Sequence, residues 1–243
     1  MNVQPLRSLA LLTPFFVLAV QSGAAAQTQV AVPVVKCPLE TMTGPENVSA
    51  PATVEVRTSK AWAAQIAFYS IGSIGALGPR GWHCQGHSGS SGATILVAPG
   101  AVPALGDSLR GRIGMEIAYY SGSTSGRQSV FDIGAPLFAD LRALAPKASV
   151  TFGITVPRTQ PIRGETLKRV STSIVTFVDP PKLQGSGPGS GGAYATYGVI
   201  VEDWKSPGKQ SGTPLPDLRL ISITAPAKDA SLMQELSVLN SSS

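Results

Sequence analysis

Gly81-Trp82-His83-Cys84-Gln85-Gly86-His87-Ser88-Gly89-Ser90-Ser91-Gly92 runs directly into an apolar segment, Ala93-Thr94-Ile95-Leu96-Val97-Ala98, which is followed by Pro99. The four glycines of the first segment argue against a helix, and the apolar run after them is typical of a short buried strand. Two other Gly/Ser-rich segments, 121–126 and 185–192, also precede strand-like runs. This recurrence indicates a sheet whose strands are joined by Gly/Ser-rich loops.

Strand signals extend over much of the chain. Residues 53–58 alternate apolar and polar side chains, which predicts a half-buried strand. Residues 113–120 and 129–133 flank a Gly/Ser turn and predict a hairpin. High β-branched content predicts further strands over 149–156, 167–178, 196–201 and 218–224.

Three short helices complete the predicted fold. Ser59 can cap a helix over 61–68, and Pro136 can begin one over 137–144 that Pro146 ends. Residues 228–239 place three leucines on one helical face. We therefore predict an α+β fold, with a mostly antiparallel sheet, two or three short helices and Gly/Ser-rich loops.

The first 26 residues are typical of a signal peptide. Arg7 supplies a positive charge, an apolar run follows over 9–20, and small residues precede Gln27. That run is shorter than the roughly 20 residues that a membrane-spanning helix needs, so we expect no span after signal removal. Residues 27–51 predict an extended Pro-rich leader, and residues 52–243 a single α+β domain.

Cysteine usage agrees with export to the periplasm or the medium. Cys37 and Cys84 are the two cysteines of the chain, and such a pair is usually oxidised outside the cytosol. A bond between them would stabilise the fold by roughly 4 kcal/mol on the chain-entropy model. A free, nucleophilic thiol at Cys84 is the alternative.

Charge points to no polyanionic partner. The chain has 19 basic and 14 acidic residues, for a net charge of +5. Its lysines and arginines are scattered, which does not predict nucleic-acid binding. The expected partner is an envelope or extracellular component whose identity the sequence does not specify.

A serine hydrolase is one reading of the histidine-containing segment. A nucleophile elbow needs glycine two residues before and two residues after the serine. Ser88 has Gly86 before it but Ser90 after it, so the pattern fails. The candidate catalytic residues that remain are His87 and Ser88, with Asp107 or Asp132 as the acid.

Metal binding is the second reading. His83 and His87 are four residues apart, which would place both imidazoles on one face of a helix. The glycines around them argue against that helix, and an oxidised Cys84 is not a ligand. We predict neither a metal nor another cofactor.

Several side chains near these glycines are candidates for ligand binding. Tryptophan can stack on sugar rings, arginine can bind an anionic group, and histidine can donate or accept a hydrogen bond. The candidates are Arg80, Trp82, His83, His87 and Arg127.

Two strings carry a family resemblance: Gly78-Pro79-Arg80-Gly81-Trp82-His83-Cys84 and Gly89-Ser90-Ser91-Gly92-Ala93. They resemble a signature of secreted bacterial proteins that have no established function, and 123–127 and 189–194 are similar to later segments of that group. The resemblance covers most of residues 52–224. It implies export from a bacterium and a domain organised around the Trp-His-Cys loop, and it implies no activity.

Recognisable catalytic relations among His, Asp and Glu are missing from the sequence. The leading hypothesis is therefore a non-catalytic envelope or secreted protein, a binding or structural module whose Gly/Ser loops form a recognition surface. The alternative is a cell-envelope hydrolase that uses the His87/Ser88 loop.

Overall fold

A computed structural model describes residues 28–103, 109–208 and 214–242. The predicted signal peptide and Asp107 lie outside these residues. Within them, thirteen strands form a four-stranded sheet and a nine-stranded sheet. The strands are β1 (Thr28–Lys36), β2 (Leu39–Thr41), β3 (Gly44–Glu46), β4 (Thr53–Thr58), β5 (Ile66–Ser70), β6 (Gly75–Pro79), β7 (His83–Gly89), β8 (Gly92–Ala98), β9 (Gly114–Tyr120), β10 (Thr166–Arg169), β11 (Ile174–Asp179), β12 (Ala195–Gly208) and β13 (Leu215–Ala225).

Both sheets are mixed rather than purely antiparallel. The smaller sheet has the order β4-β1-β5-β6, and the larger has the order β10-β11-β12-β13-β9-β8-β7-β2-β3. Most neighbours are antiparallel, but β1 runs parallel to β5 and β2 runs parallel to β7. The prediction of a mostly antiparallel sheet therefore describes the fold only roughly.

Four α-helices are present in the described residues, one more than the sequence predicted. They are α1 (Lys60–Ala63), α2 (Arg127–Gly134), α3 (Ala139–Phe152) and α4 (Ala230–Ser241). Ser59 caps α1, as expected, by accepting a hydrogen bond from the Trp62 N–H. The helix ends early because Ile66 and Ala67 are buried as part of β5.

Two predicted strands are helical in the structure. The segment 129–133 belongs to α2, because Val130, Phe131 and Gly134 follow helical spacing and are all buried. The predicted strand 149–156 begins inside α3, which continues through Pro146 to Phe152 and ends at the left-handed Gly153.

Residues of the predicted leader over 27–51 contribute three strands to the two sheets. β1 lies in the four-stranded sheet, and β2 and β3 form one end of the nine-stranded sheet. Val32 and Cys37 are fully buried. The prolines of this segment hid its strand periodicity in the sequence.

The nine-stranded sheet is covered differently on its two faces. One face packs against the four-stranded sheet and α4 around Ile95, Ile117 and Leu236. On the opposite face, α2 and α3 pack over the middle of the sheet around Phe131, Phe138 and Leu220. We call that second face the helix-bearing face. Within the described residues no helix is long and apolar enough to cross a membrane.

Candidate functional site

The helix-bearing face continues beyond its helices onto β8, β7 and β2. Ala118, in the core beneath α2 and α3, is the register partner of Thr94 on β8. Thr94 pairs in turn with His87 on β7, and His87 pairs with Glu40 on β2. Because register partners share a face of the sheet, these side chains extend the same face past its helical cover.

A pocket of about 470 Å³ lies over this part of the face. Thr94 and Leu96 of β8 line it together with Glu116 and Tyr120 of β9. Its outer wall is formed by residues of β7, β2 and the turn between β2 and β3. The lining residues there include His87, Glu40 and the highly exposed Met42. We call this cavity the β-face pocket; its size suits a small organic ligand.

Glu116 is the most deeply placed carboxyl group of the β-face pocket. Burial raises its pKa to about 7, so its charged and neutral forms are both populated at neutral pH. Burial, and then the charge of Glu116, raise the pKa of nearby Tyr120 to about 12. Tyr120 therefore remains a neutral phenol at physiological pH.

His87 contributes a neutral imidazole. Burial lowers its pKa, and the negative charge of Glu40 opposes that effect. Both ring nitrogens are shielded from solvent, and no described residue hydrogen-bonds to either of them. The imidazole is therefore a buried donor and acceptor in this wall that the described residues leave unsatisfied.

His87 and Ser88, the predicted catalytic pair, both line the β-face pocket, but they are adjacent residues of one strand. The segment is strand β7 rather than a loop, and adjacent strand residues point to opposite faces. His87 pairs with Thr94 on the helix-bearing face. Ser88 pairs with Ala93, which belongs to the core between the two sheets. Asp132 is exposed on α2, where it accepts a hydrogen bond from Gln128 at 2.8 Å.

The strand also separates the two histidines. Four residues along a strand place the Cα atoms of His83 and His87 about 13 Å apart, too far for a shared metal ion. No group of three or more metal-ligating side chains occurs in the described part of the chain. His83 itself is exposed at the start of β7.

The other predicted ligand-binding residues have local partners. The Arg80 guanidinium donates to the Ala64 carbonyl, and Arg127 lies 4.6 Å from the centre of the Phe152 ring. Trp82 packs against the inter-sheet core, and its backbone N–H donates to the Tyr69 hydroxyl. Of the predicted ligand-binding set, only His87 lines the β-face pocket.

Two Gly/Ser-rich segments meet at one end of the nine-stranded sheet. The first supplies strand β7 and its turn into β8, and the second joins β9 to α2. The Ser125 hydroxyl hydrogen-bonds to the Ser90 hydroxyl at 3.1 Å, and the Ser121 N–H donates to the Ser91 carbonyl. The third segment instead packs on the helix-bearing face, where Pro188 contributes to the β-face pocket.

Cys37 and Cys84 form the predicted disulfide bond, with their Cα atoms 5.3 Å apart. Cys37 precedes β2 and Cys84 lies within β7, so the bond joins the two strands that carry Glu40 and His87. It therefore restrains the outer wall of the β-face pocket.

Sequence reasoning missed Glu40, Glu116 and Tyr120. The sequence offered one indication of Glu116, because it is the single charged residue in the predicted strand 113–120. Glu40 carried no such signal, because its position opposite His87 depends on a parallel pairing between distant segments.

Comparison with protein-family models, with curated protein sequences and with solved structures finds no match to this chain.

Proposed function

We propose that this protein is an exported, non-catalytic binding module that takes a small ligand in the β-face pocket. One observation carries the proposal. The nine-stranded sheet leaves part of its helix-bearing face as a pocket whose wall contains the buried nitrogens of His87, which have no hydrogen-bond partner among the described residues. Convergent polar groups in a partly apolar cavity are typical of ligand sites.

Export is part of the same proposal. The Cys37–Cys84 disulfide supports it, because structural disulfides are formed and kept mainly outside the cytosol. The signal-like first 26 residues and the resemblance to secreted bacterial proteins point the same way.

A fragment screen followed by nuclear magnetic resonance tests the binding site. We expect ligand-induced shifts at the amides of Thr94, Leu96, Glu116 and His87. Thr94→Phe fills the pocket from its floor and abolishes those shifts, whereas Thr53→Phe, on exposed β4, retains them. Shifts confined to another cavity, or none from a diverse library, would overturn the proposal.

A hydrolase is the second candidate, and the position of Glu116 favours it. A carboxyl group with a pKa of about 7 in a pocket can act as a general acid, and the neutral imidazole of His87 can accept a proton. In this hydrolase hypothesis Glu116, rather than Ser88, is the catalytic residue that acts with His87.

An ester, amide and glycan panel distinguishes the two candidates. Under the hydrolase hypothesis, Glu116→Gln lowers the rate of an active substrate by about 100-fold or more while the protein remains folded. Absence of turnover by a protein that binds fragments in the pocket supports the binding module.

A further inference from the structure

The charges that line the β-face pocket have one sign. Glu40 and Glu116 are both lining residues, and none of the described lining residues is lysine or arginine. The chain as a whole has the opposite balance, with 19 basic and 14 acidic residues. The pocket therefore differs from the average surface of the protein, and it disfavours an anionic ligand.

His87 does not reverse this balance. Its neutral imidazole offers a hydrogen-bond acceptor without adding a positive charge. Glu116 lines the cavity, and no lysine or arginine is among the described lining residues, so its charged form lacks a counter-charge within the pocket. A cationic group placed beside that carboxylate would supply the missing counter-charge.

The remaining walls suit the body of an organic cation rather than a hydrated metal ion. Tyr120, Met42 and Leu96, which carry an aromatic ring, a thioether and an aliphatic side chain, line the same cavity. Aromatic faces attract alkylammonium groups, and apolar side chains cover their carbon atoms. A cavity of about 470 Å³ is also much larger than an ion-binding cage.

We propose that the ligand of the β-face pocket is a small organic ammonium compound, with Glu116 as its counter-ion and Tyr120 and Met42 against its carbon groups. This inference rests on the proposed binding function and specifies its ligand class. The ammonium group lies towards Glu116, and Glu40 provides a second negative charge at the rim.

Calorimetry with matched pairs of ligands tests the inference. The probes are choline and its neutral isostere 3,3-dimethylbutan-1-ol, and hexylamine and its neutral counterpart hexan-1-ol. We expect each cation to bind at least tenfold more tightly than its neutral partner at pH 8. Glu116→Gln, which keeps the shape of the side chain, reduces that preference to within a factor of about two.

Glu55→Gln is the matched control, because it removes one exposed carboxylate from β4 and leaves the pocket unchanged. It retains the cation preference. Equal or tighter binding of the neutral compounds in the pocket would overturn the ammonium assignment and leave the binding function standing. Failure of these probes and of the fragment library together, with the protein folded, would overturn both.

Discussion

Glu40 and His87 are register partners across the parallel pairing of β2 with β7, and they stand as far apart in sequence as the disulfide-bonded Cys37 and Cys84, 47 residues. Each cysteine therefore precedes one of the two pocket residues by three positions. The disulfide bond links the two segments three positions before this pair and thereby fixes the register that places Glu40 opposite His87.

Loss of the disulfide weakens both the fold and this wall. Cys37→Ser combined with Cys84→Ser is expected to lower the free energy of unfolding by about 4 kcal/mol, because the unfolded chain regains the freedom of a 47-residue loop. Urea denaturation of the variant and of the oxidised protein measures the difference. Coincident denaturation curves would contradict this role.

Asn240 fastens α4 to the four-stranded sheet. Its side-chain oxygen accepts a hydrogen bond from the Leu77 N–H and its side-chain amide donates to the Leu77 carbonyl, both at 2.9 Å. Asn240→Ala leaves these buried backbone groups without partners and is expected to cost about 2–4 kcal/mol. Ser242→Ala, at an exposed site, is the control in the same urea titration; an equal effect of the two variants would refute the assignment.

The elements with strong local patterns were predictable from the sequence. The alternation of 53–58 gave β4 with its observed bounds, and Ser59 was correctly placed as a cap. The region 129–133 was mistaken for a strand because its apolar residues fit either period over so short a length. Tertiary packing of Phe131 decides in favour of the helix.

The site was less predictable than the fold, because it depends on contacts between distant segments. The histidine-containing sequence pointed to His87, but its glycines suggested a loop where the structure has β7. Glycine suits position 86 of that strand because the Ile71 side chain occupies the space that a Cβ atom at Gly86 would need. No local pattern could place Glu116 beside residues of β2 and β7.

Gly92 begins β8 at a position where only glycine fits. Its φ of +142° is rare for other residues, and a Cβ atom there would lie 1.8 Å from the Tyr119 carbonyl oxygen. Gly92→Ala is expected to lose at least about 3 kcal/mol of stability or to prevent folding. Gly100→Ala, where a Cβ meets open space, should change stability by less than about 0.5 kcal/mol. Circular dichroism and urea denaturation report both outcomes, and a Gly92→Ala protein as stable as its control would disprove the clash.

The buried carboxyl group of Asp179 makes the fold more stable in mild acid. Burial and then the hydrogen bond with Glu165 raise the pKa of Asp179 to about 7, against the opposing hydrogen bond from the Gly187 N–H. The folded state therefore holds a proton that the unfolded state releases above about pH 4. This contribution is fully present below that pH and is lost as the pH rises to about 7.

Stability measured from pH 4.5 to 7.5 tests the role of Asp179. Asp179→Asn removes the titration and is expected to flatten the decline by up to about 1.4 kcal/mol per pH unit. Glu116 and Glu202, whose pKa values burial also raises to about 7, maintain part of the decline. Asp132→Asn, at an exposed helical site, leaves the slope unchanged; a slope that Asp179→Asn leaves equally steep would contradict the assignment.

The outer strands of the two open sheets bear on how this protein behaves at high concentration. An unpaired strand edge is a template onto which a second chain can add, and repeated addition produces fibres. Here β3 is three residues long and contains Pro45, β10 carries the adjacent charges of Lys168 and Arg169, and β4 alternates Glu55 and Arg57 with its apolar residues. At β6, Asn240 already occupies the backbone groups of Leu77. Each of these four edge strands thus carries a different feature that disfavours intermolecular strand addition, so open sheets need not lead to fibrils.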